Sequence, residues 1–180
     1  MNLLSLRTYP DPCLRIRTKP VEKFDRSLER ALREMADIMY ASRGIGLAAT
    51  QVGLGLSVLV VDTGEGLMAF VNPEILERSK NRTAMEEGCL SVPGVIVNVS
   101  RPEKVKVRAR DAKGGIFVKS FDGLAAKAVQ HEMDHLAGRL IIDHLDPVRR
   151  FFAKRKLRRT KTRQGIETCE VVCSVGKKDQ

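Results

Sequence analysis

Aromatic residues are scarce in this chain of 180 residues, which has no tryptophan, two tyrosines and six phenylalanines. The four cysteines are too few and too scattered to form a disulfide framework, which favours a reduced, cytoplasmic protein. No run of about 18 apolar residues is present, and the N-terminal stretch lacks the pattern of a secretory signal peptide. Membrane-spanning and disulfide-rich secreted classes are therefore not expected.

Histidine is also scarce, because only three are present and two of them stand four residues apart in Gln130-His-Glu-Met-Asp-His-Leu-Ala-Gly138. Four residues of α-helix turn roughly 400°, so the rings of His131 and His135 project from one face and can bind one metal ion. Glu132, about 100° away, can act as a general base toward a water molecule at that ion. The spacing also fits a polar face of a surface helix, but the intervening glutamate favours metal catalysis.

A metal ion held by two histidines needs a third protein ligand. Zincin proteases take it from a downstream histidine or glutamate, but His144 lies beyond the helix stop that Gly138 predicts, and the tail glutamates have weak helical signal. Cys89, in a turn between strand segments, is the other candidate, because a Cys/His/His set leaves one coordination position open. A free cysteine is more often a small buried hydrophobe, so the residue type alone leaves both interpretations open.

The rest of the chain predicts an α+β fold, with antiparallel β-sheets wrapped around the central metal-binding helix and a helix near each end. Asp25 caps an N-terminal helix whose apolar residues recur at three- and four-residue spacing until about Ser42. Pro73 should end the second strand. Strands joined by hairpins are predicted at 57–62, 68–72, 104–110 and 115–121.

Three blocks together resemble the signature motifs of bacterial peptide deformylases, in the family's order. They are Gly44-Ile-Gly-Leu-Ala-Ala-Thr-Gln51, Glu87-Gly-Cys-Leu-Ser91 and the histidine block. The opening Tyr9-Pro-Asp-Pro-Cys-Leu-Arg15 is also similar to the family, so the resemblance covers about residues 1–150. By residue type alone, the Gln51 amide is either an oxyanion donor or a solvent-facing loop side chain.

The resemblance implies an enzyme that removes the formyl group from formyl-methionine at the N-terminus of nascent peptides. It implies one divalent ion per chain, most typically Fe²⁺, with Zn²⁺, Ni²⁺ or Co²⁺ as substitutes. Carried over position by position, the implied metal ligands are Cys89, His131 and His135. Glu132 is implied as the catalytic acid and base.

The same resemblance implies how the substrate is held. The Gln51 amide and the backbone N–H of Leu90 would flank the oxyanion, and Gly46 would meet the substrate backbone. An apolar pocket for the methionine side chain is expected from Ile45, Leu124 and Ala128. Lys127 departs from the family, because many relatives are apolar near this pocket mouth, and it could favour acidic peptides.

Most of the net charge of +10 lies near the C-terminus, where residues 145–180 carry 11 Lys+Arg and 4 Asp+Glu. We expect a single catalytic metallohydrolase domain over 1–147, a basic helix over 148–164, and a short strand or disordered tail over 165–180. Basic patches bind phosphates, and family members resemble this chain in having a C-terminal helix that docks on the ribosome. Ribosomal RNA is therefore the expected partner of the helix, with a solvated basic helix as the alternative; neither DNA nor a membrane is expected.

Two other functions remain open at this stage. A zinc endopeptidase would cleave internal peptide bonds and would need a third ligand other than Cys89. An RNA-binding module with a structural metal would need four closed ligands, and the sequence offers only three.

Overall fold

The structure, a computed structural model, describes residues 4–162 and the side chains as far as Leu157. Its α-helices are α1 (Arg26–Ala41), α2 (Gly123–Leu136) and α3 (Pro147–Thr162). Its strands are β1 (Gly46–Ala48), β2 (Val58–Val61), β3 (Met68–Arg78), β4 (Arg82–Glu87), β5 (Val97–Pro102), β6 (Lys104–Arg110) and β7 (Ile116–Asp122). Short 3₁₀ helices cover Pro12–Arg15, Ala49–Val52 and Ile141–His144.

The strands form two antiparallel sheets, one with the order β1-β2-β3-β6-β7 and one that pairs β4 with β5. Every residue of β2 is buried, and its side chains alternate between two apolar clusters. Val58 and Val60 pack with α1 on one face of the larger sheet, and Leu59 and Val61 pack with α2 on the other. Helix α2 is therefore the buried centre of the molecule, which confirms the predicted α+β fold.

Helix α1 forms where the apolar stripe predicts it, and the Asp25 carboxylate accepts hydrogen bonds from the first-turn N–H groups of Ser27 and Leu28. The predicted end of the second strand at Pro73 is wrong, because β3 continues to Arg78. The pairing of β3 with β6 shifts register between Val71 and Glu74, so the proline lies at an irregularity where its missing N–H costs no ladder bond.

Other local predictions also changed. Residues Pro12–Arg15, for which no helix was predicted, form a 3₁₀ helix, because Asp11 caps it and proline occupies its first position. Strands β4 and β5 were not predicted. Most β4 side chains are at least partly exposed and polar, so β4 carries no apolar alternation that sequence reasoning could detect.

Helix α3 follows the Ile141–His144 turn and contacts the body through one side of its surface. Leu157 is buried in a cluster with Leu140 and Ile142, whereas Phe151 and Phe152 are exposed. The last residues of the predicted basic helix and the tail with Cys169 and Cys173 lie outside the described residues. Within the part of the chain that the structure describes, no helix has the length and apolar character needed to cross a membrane.

Candidate metal centre

Three candidate ligands meet where the loop after β4 crosses α2. The ligand atoms of Cys89, His131 and His135 all lie within 4.8 Å of one another. Cys89 Sγ is 3.2 Å from His135 Nε2, and the two imidazole centroids are 5.1 Å apart. An ion about 2.0–2.3 Å from each donor can reach all three, and one thiolate with two imidazoles suits a divalent transition metal. His144 is not among them, because its Nε2 lies 3.0 Å from Asp134 Oδ2.

The position of α2 is fixed at its C-terminal end and on its flank. Gly138 has a φ of 72°, and a Cβ at this position would lie 2.6 Å from the Arg15 carbonyl oxygen, so only glycine fits. The Gln130 amide donates to the Pro102 carbonyl at 3.0 Å and ties α2 to β5. Asp122 occupies the N-cap position of α2, but its side chain makes no capping hydrogen bond.

A buried chain of charged groups orients the histidine rings. Glu87 Oε2 lies 2.9 Å from His131 Nδ1, which directs Nε2 of that ring toward the thiol. Arg101 donates to both Glu87 oxygens at 2.6 and 2.9 Å and to Asp134 Oδ2 at 2.8 Å. Its guanidinium therefore links the β4–β5 hairpin to the metal-binding helix.

Sequence reasoning assigned no role to Glu87, Arg101 or Asp134. The position of Glu87, two residues before the proposed cysteine ligand and in the same motif, was the available signal, because a metal-binding histidine usually needs an acceptor for its second ring nitrogen. For Arg101 no local signal existed, since its partners are distant in sequence.

The charged environment shifts the titration of the site residues. Burial alone would lower the pKa of His131, but its hydrogen bonds to Cys89 and Glu87 raise the pKa well above the ordinary value. Burial lowers the pKa of His135 well below the ordinary value, and the nearby His131 lowers it further. Burial opposes ionisation of Asp134, yet hydrogen bonding by His144 and the charge of Arg101 hold its pKa far below the usual range. A metal ligand requires a neutral imidazole, which is the state that burial favours for His135, whereas His131 would release its proton on binding an ion.

Glu132 is the buried carboxylate without a full set of partners. It is 4% exposed, and its Oε2 has no hydrogen-bond partner among the described residues. Burial raises its pKa to about 7, while the charges of His131 and Arg101 act in the opposite direction. A carboxyl group that titrates near neutrality can both accept and donate a proton at that pH.

Gly46 of β1 lies directly against this carboxylate. A Cβ at position 46 would be 2.6 Å from Glu132 Oε1, so any larger residue must displace the glutamate. Strand β1 is also an edge strand, because it pairs only with β2 in the larger sheet. Its other edge therefore leaves backbone groups available beside the site.

Gln51 is 1% exposed, so the solvent-facing interpretation of its amide is wrong. Its Oε1 accepts a hydrogen bond from the Ala48 N–H at 2.7 Å, which orients the amide. Its Nε2 lies 3.2 Å from Ser91 Oγ and 3.7 Å from Cys89 Sγ. The nitrogen therefore points toward the candidate ligands.

A cavity of about 540 Å³ is lined by Glu132 and by two of the candidate ligands, Cys89 and His131, whereas His135 is buried behind them. Its walls include Ile45, Leu124 and Ala128, which sequence reasoning proposed for a side-chain pocket. Ala128 is buried, whereas Ile45 and Leu124 are 43% and 46% exposed, so they lie at the opening. Gly46, Gln51, Leu90 and Lys127 also line the cavity.

Known proteins with similar sequences and structures share one name. The family model described as polypeptide deformylase matches residues 3–151. A peptide deformylase of Thermotoga petrophila is 45% identical over 152 residues, which cover 84% of this chain and 93% of the relative. Peptide deformylase 1 of Burkholderia multivorans is 44% identical over 162 residues, covering 88% and 90% of the two chains.

The fold agrees with these sequence matches. A crystal structure of a peptide deformylase from Legionella pneumophila superposes with a TM-score of 0.84 at 43% identity, and covers 90% of this chain and 97% of its own. A peptide deformylase from Ehrlichia chaffeensis in complex with actinonin gives 0.86 at 34% identity over 89% and 99% of the chains. The chain therefore belongs to the polypeptide deformylase family, the metal-dependent hydrolases that remove the N-formyl group from nascent peptides.

Proposed function

We propose that this chain removes the formyl group at one divalent ion held by Cys89, His131 and His135. The convergence of these three donors supports the proposal most directly, because two of them, Cys89 and His131, also line the cavity. We propose Fe²⁺ as the native ion, with Zn²⁺, Ni²⁺ or Co²⁺ as replacements, since this donor set accepts each of them. When bound, the ion supplies Lewis acidity that polarises the formyl carbonyl and lowers the pKa of the attacking water toward about 7.

Glu132 moves the proton. Its carboxylate takes a proton from the water that attacks the formyl carbon, and then delivers it to the amine nitrogen as the C–N bond breaks. Formate and a free α-amino group are the products. Burial favours this role, because a pKa of about 7 keeps both protonation states accessible near neutral pH.

Two donors stabilise the negative charge that develops on the formyl oxygen. The buried Gln51 Nε2 is oriented by the bond that its own oxygen makes with Ala48. The Leu90 N–H follows the ligand cysteine and has no acceptor among the described residues. Donors held in place before the reaction need no reorganisation, and loss of one such donor typically costs about 10²–10³ in turnover.

Substrate recognition uses the remaining cavity walls. The methionine side chain occupies the apolar surface formed by Ile45, Leu124 and Ala128. The substrate backbone lies along Gly46, where the absence of a side chain permits close approach. The position of β1 at the edge of the larger sheet is consistent with both the methionine pocket and the contact of the substrate backbone with Gly46.

The basic helix suggests where the enzyme works. We assign residues 1–147 to the catalytic domain, and residues 148–164 to a helix that binds ribosomal RNA in the cytoplasm. The charge pattern supports this, because Arg149 to Arg163 include nine basic and no acidic residues. Affinity for ribosomes should fall steeply with salt concentration if phosphate contacts supply the binding.

Formate release distinguishes this function from that of a zinc endopeptidase. Metal-loaded protein should release formate from formyl-Met-Ala-Ser and leave casein intact. Cys89→Ala should lose both bound metal and formate release, whereas Cys13→Ala, which removes a buried thiol outside the ligand set, should keep both. Full metal content and activity in Cys89→Ala would refute the ligand assignment.

A further inference from the structure

Lys127 places a positive charge on the wall of the substrate cavity. It lies one helical turn before His131 on α2, on the face that also carries Leu124 and Ala128. The residue is only 7% exposed. Its side chain therefore forms part of the buried cavity wall.

Among the residues that the structure describes, none forms a hydrogen bond or an ion pair with the Lys127 ammonium group. The Lys127 Nζ atom is not among the buried side-chain atoms that lack a hydrogen-bond partner. It therefore remains accessible to solvent in the open cavity. A substrate that fills the cavity removes this solvation, and an uncompensated ammonium group then opposes binding.

Arg43 adds a second cation to the same cavity wall. It follows the end of α1 and has a φ of 56°, a left-handed conformation that favours glycine. Its exposed side chain makes no contact with an acidic group among the described residues. Arginine thus occupies a backbone position where glycine would be less strained.

We propose that Lys127 and Arg43 select formylated peptides that carry a carboxylate close to the formyl-methionine. This inference rests on the proposed function and specifies its substrate class. A carboxylate beside Lys127 replaces the solvation that the ammonium group loses when the peptide binds. Three carboxylates also line the cavity. Glu87 is ion-paired with Arg101 and Glu132 is buried at the candidate metal centre, so the exposed Glu86 is the carboxylate left to offset the two cations.

The distance between Lys127 and His131 along α2 indicates which residue of the peptide carries the bound carboxylate. One turn of helix is about 5.4 Å, and an extended peptide advances about 3.3–3.6 Å per residue. The Lys127 stem adds a few more ångströms of reach beyond the ligand His131. The carboxylate therefore belongs to the residues that follow methionine, either as an acidic side chain or as the free C-terminus of a short peptide.

Matched peptide pairs test this preference. The first pair is formyl-Met-Asp-Ala amide and formyl-Met-Asn-Ala amide, which differ in charge at nearly equal shape. The second is formyl-Met-Ala as its free acid and as its amide, which separates the terminal carboxylate from the side chain. We measure kcat and KM by formate release at low and high salt for the wild type, Lys127→Met, Arg43→Gly and the surface control Lys113→Met.

The wild type should favour the charged member of at least one pair by about three- to ten-fold in kcat/KM, mainly through KM, and less at high salt. Lys127→Met should reduce this ratio to about one. Arg43→Gly, which relieves the left-handed strain and should fold well, should lower the ratio in part. Lys113→Met removes the same charge from an exposed turn and should leave the ratio unchanged.

Equal kcat/KM values within both pairs for the wild type would overturn the inference and leave the deformylase function intact. A preference that persists in Lys127→Met would overturn it as well. Absence of formate from every peptide would instead refute the proposed function, so the two failures are distinguishable.

Discussion

Helices α2 and α3 have similar lengths and opposite surroundings. Ten of the 14 residues of α2 are buried, including six with polar or charged side chains. On α3, Leu157 is buried, whereas Phe151 and Phe152 are 62% and 60% exposed. A charged group on α3 remains hydrated at little cost, but each one on α2 needs a partner or a function.

Within α2, the presence or absence of a hydrogen-bond partner separates groups that support the helix from the carboxylate that we assign to the reaction. Asp134 and His131 have partners in the Arg101 network. Glu132 Oε2 and His135 Nδ1 are fully buried and have no partner among the described residues. The paired groups hold the helix in place, and the unpaired carboxylate is the group that we assign to proton transfer.

The largest effect should come from changing the unpaired carboxylate of α2. Glu132→Gln keeps the shape of the side chain but cannot accept the proton, so kcat should fall by about 10²–10⁴. Stability should not fall, because a buried charge is removed. Steady-state formate release and urea unfolding measure the two effects. Glu65→Gln, at an exposed loop position, is the control; near-normal turnover in Glu132→Gln would contradict the assigned role.

The next largest effect should come from breaking the network that holds α2. Arg101→Met leaves the buried Glu87 without its arginine partner, and leaves Asp134 with only Arg139 and His144, which should lower the free energy of unfolding by about 3–5 kcal/mol. Arg155→Met on α3 removes an exposed charge and should change it by less than about 0.5 kcal/mol. Urea denaturation of both variants gives the comparison, and equal small effects would show that the buried network adds little stability.

Gly46→Ala should disturb the position of Glu132 without removing it. The added methyl group would lie 2.6 Å from Glu132 Oε1, so the carboxylate must move, and kcat should fall by about 10–10². Gly55→Ala meets only an ordinary contact of 3.6 Å and should retain activity. If both variants have wild-type kcat, the close packing between Gly46 and Glu132 does not control the reaction.

The smallest effects should separate the two faces of α3. Leu157→Ala removes a buried side chain and should lower the free energy of unfolding by about 2 kcal/mol, near the low end for such changes, because a surface helix can adjust. Phe151→Ala removes an exposed ring and should change it by less than about 0.5 kcal/mol. Thermal and urea unfolding check both values; a larger loss in Phe151→Ala would reverse the assignment of the buried face.

The sequence predicted most elements that have a local signal, although the alternation of Val97 and Val99 in β5 was missed. The apolar spacing after Asp25 predicted α1, and the histidine block with Gly138 predicted α2 and its end. Prediction from the sequence failed where a strand is defined by its pairing with another strand. Strand β4 is mostly exposed and has no apolar alternation, and β3 passes Pro73 because a register shift in its pairing with β6 accommodates the proline.

By itself, the sequence determined the helical spacing of His131 and His135 and the motif blocks that identify the family. These depend on residues within one turn or one short segment. Only the tertiary structure decided that the Cys89 thiol meets those rings and that Arg101 joins Glu87 to Asp134. It also decided that Lys127 lines the cavity and has no ion-pair partner in the described part of the chain. Such contacts join residues far apart in the chain, and their distances depend on how β-sheet and helix pack rather than on any local pattern.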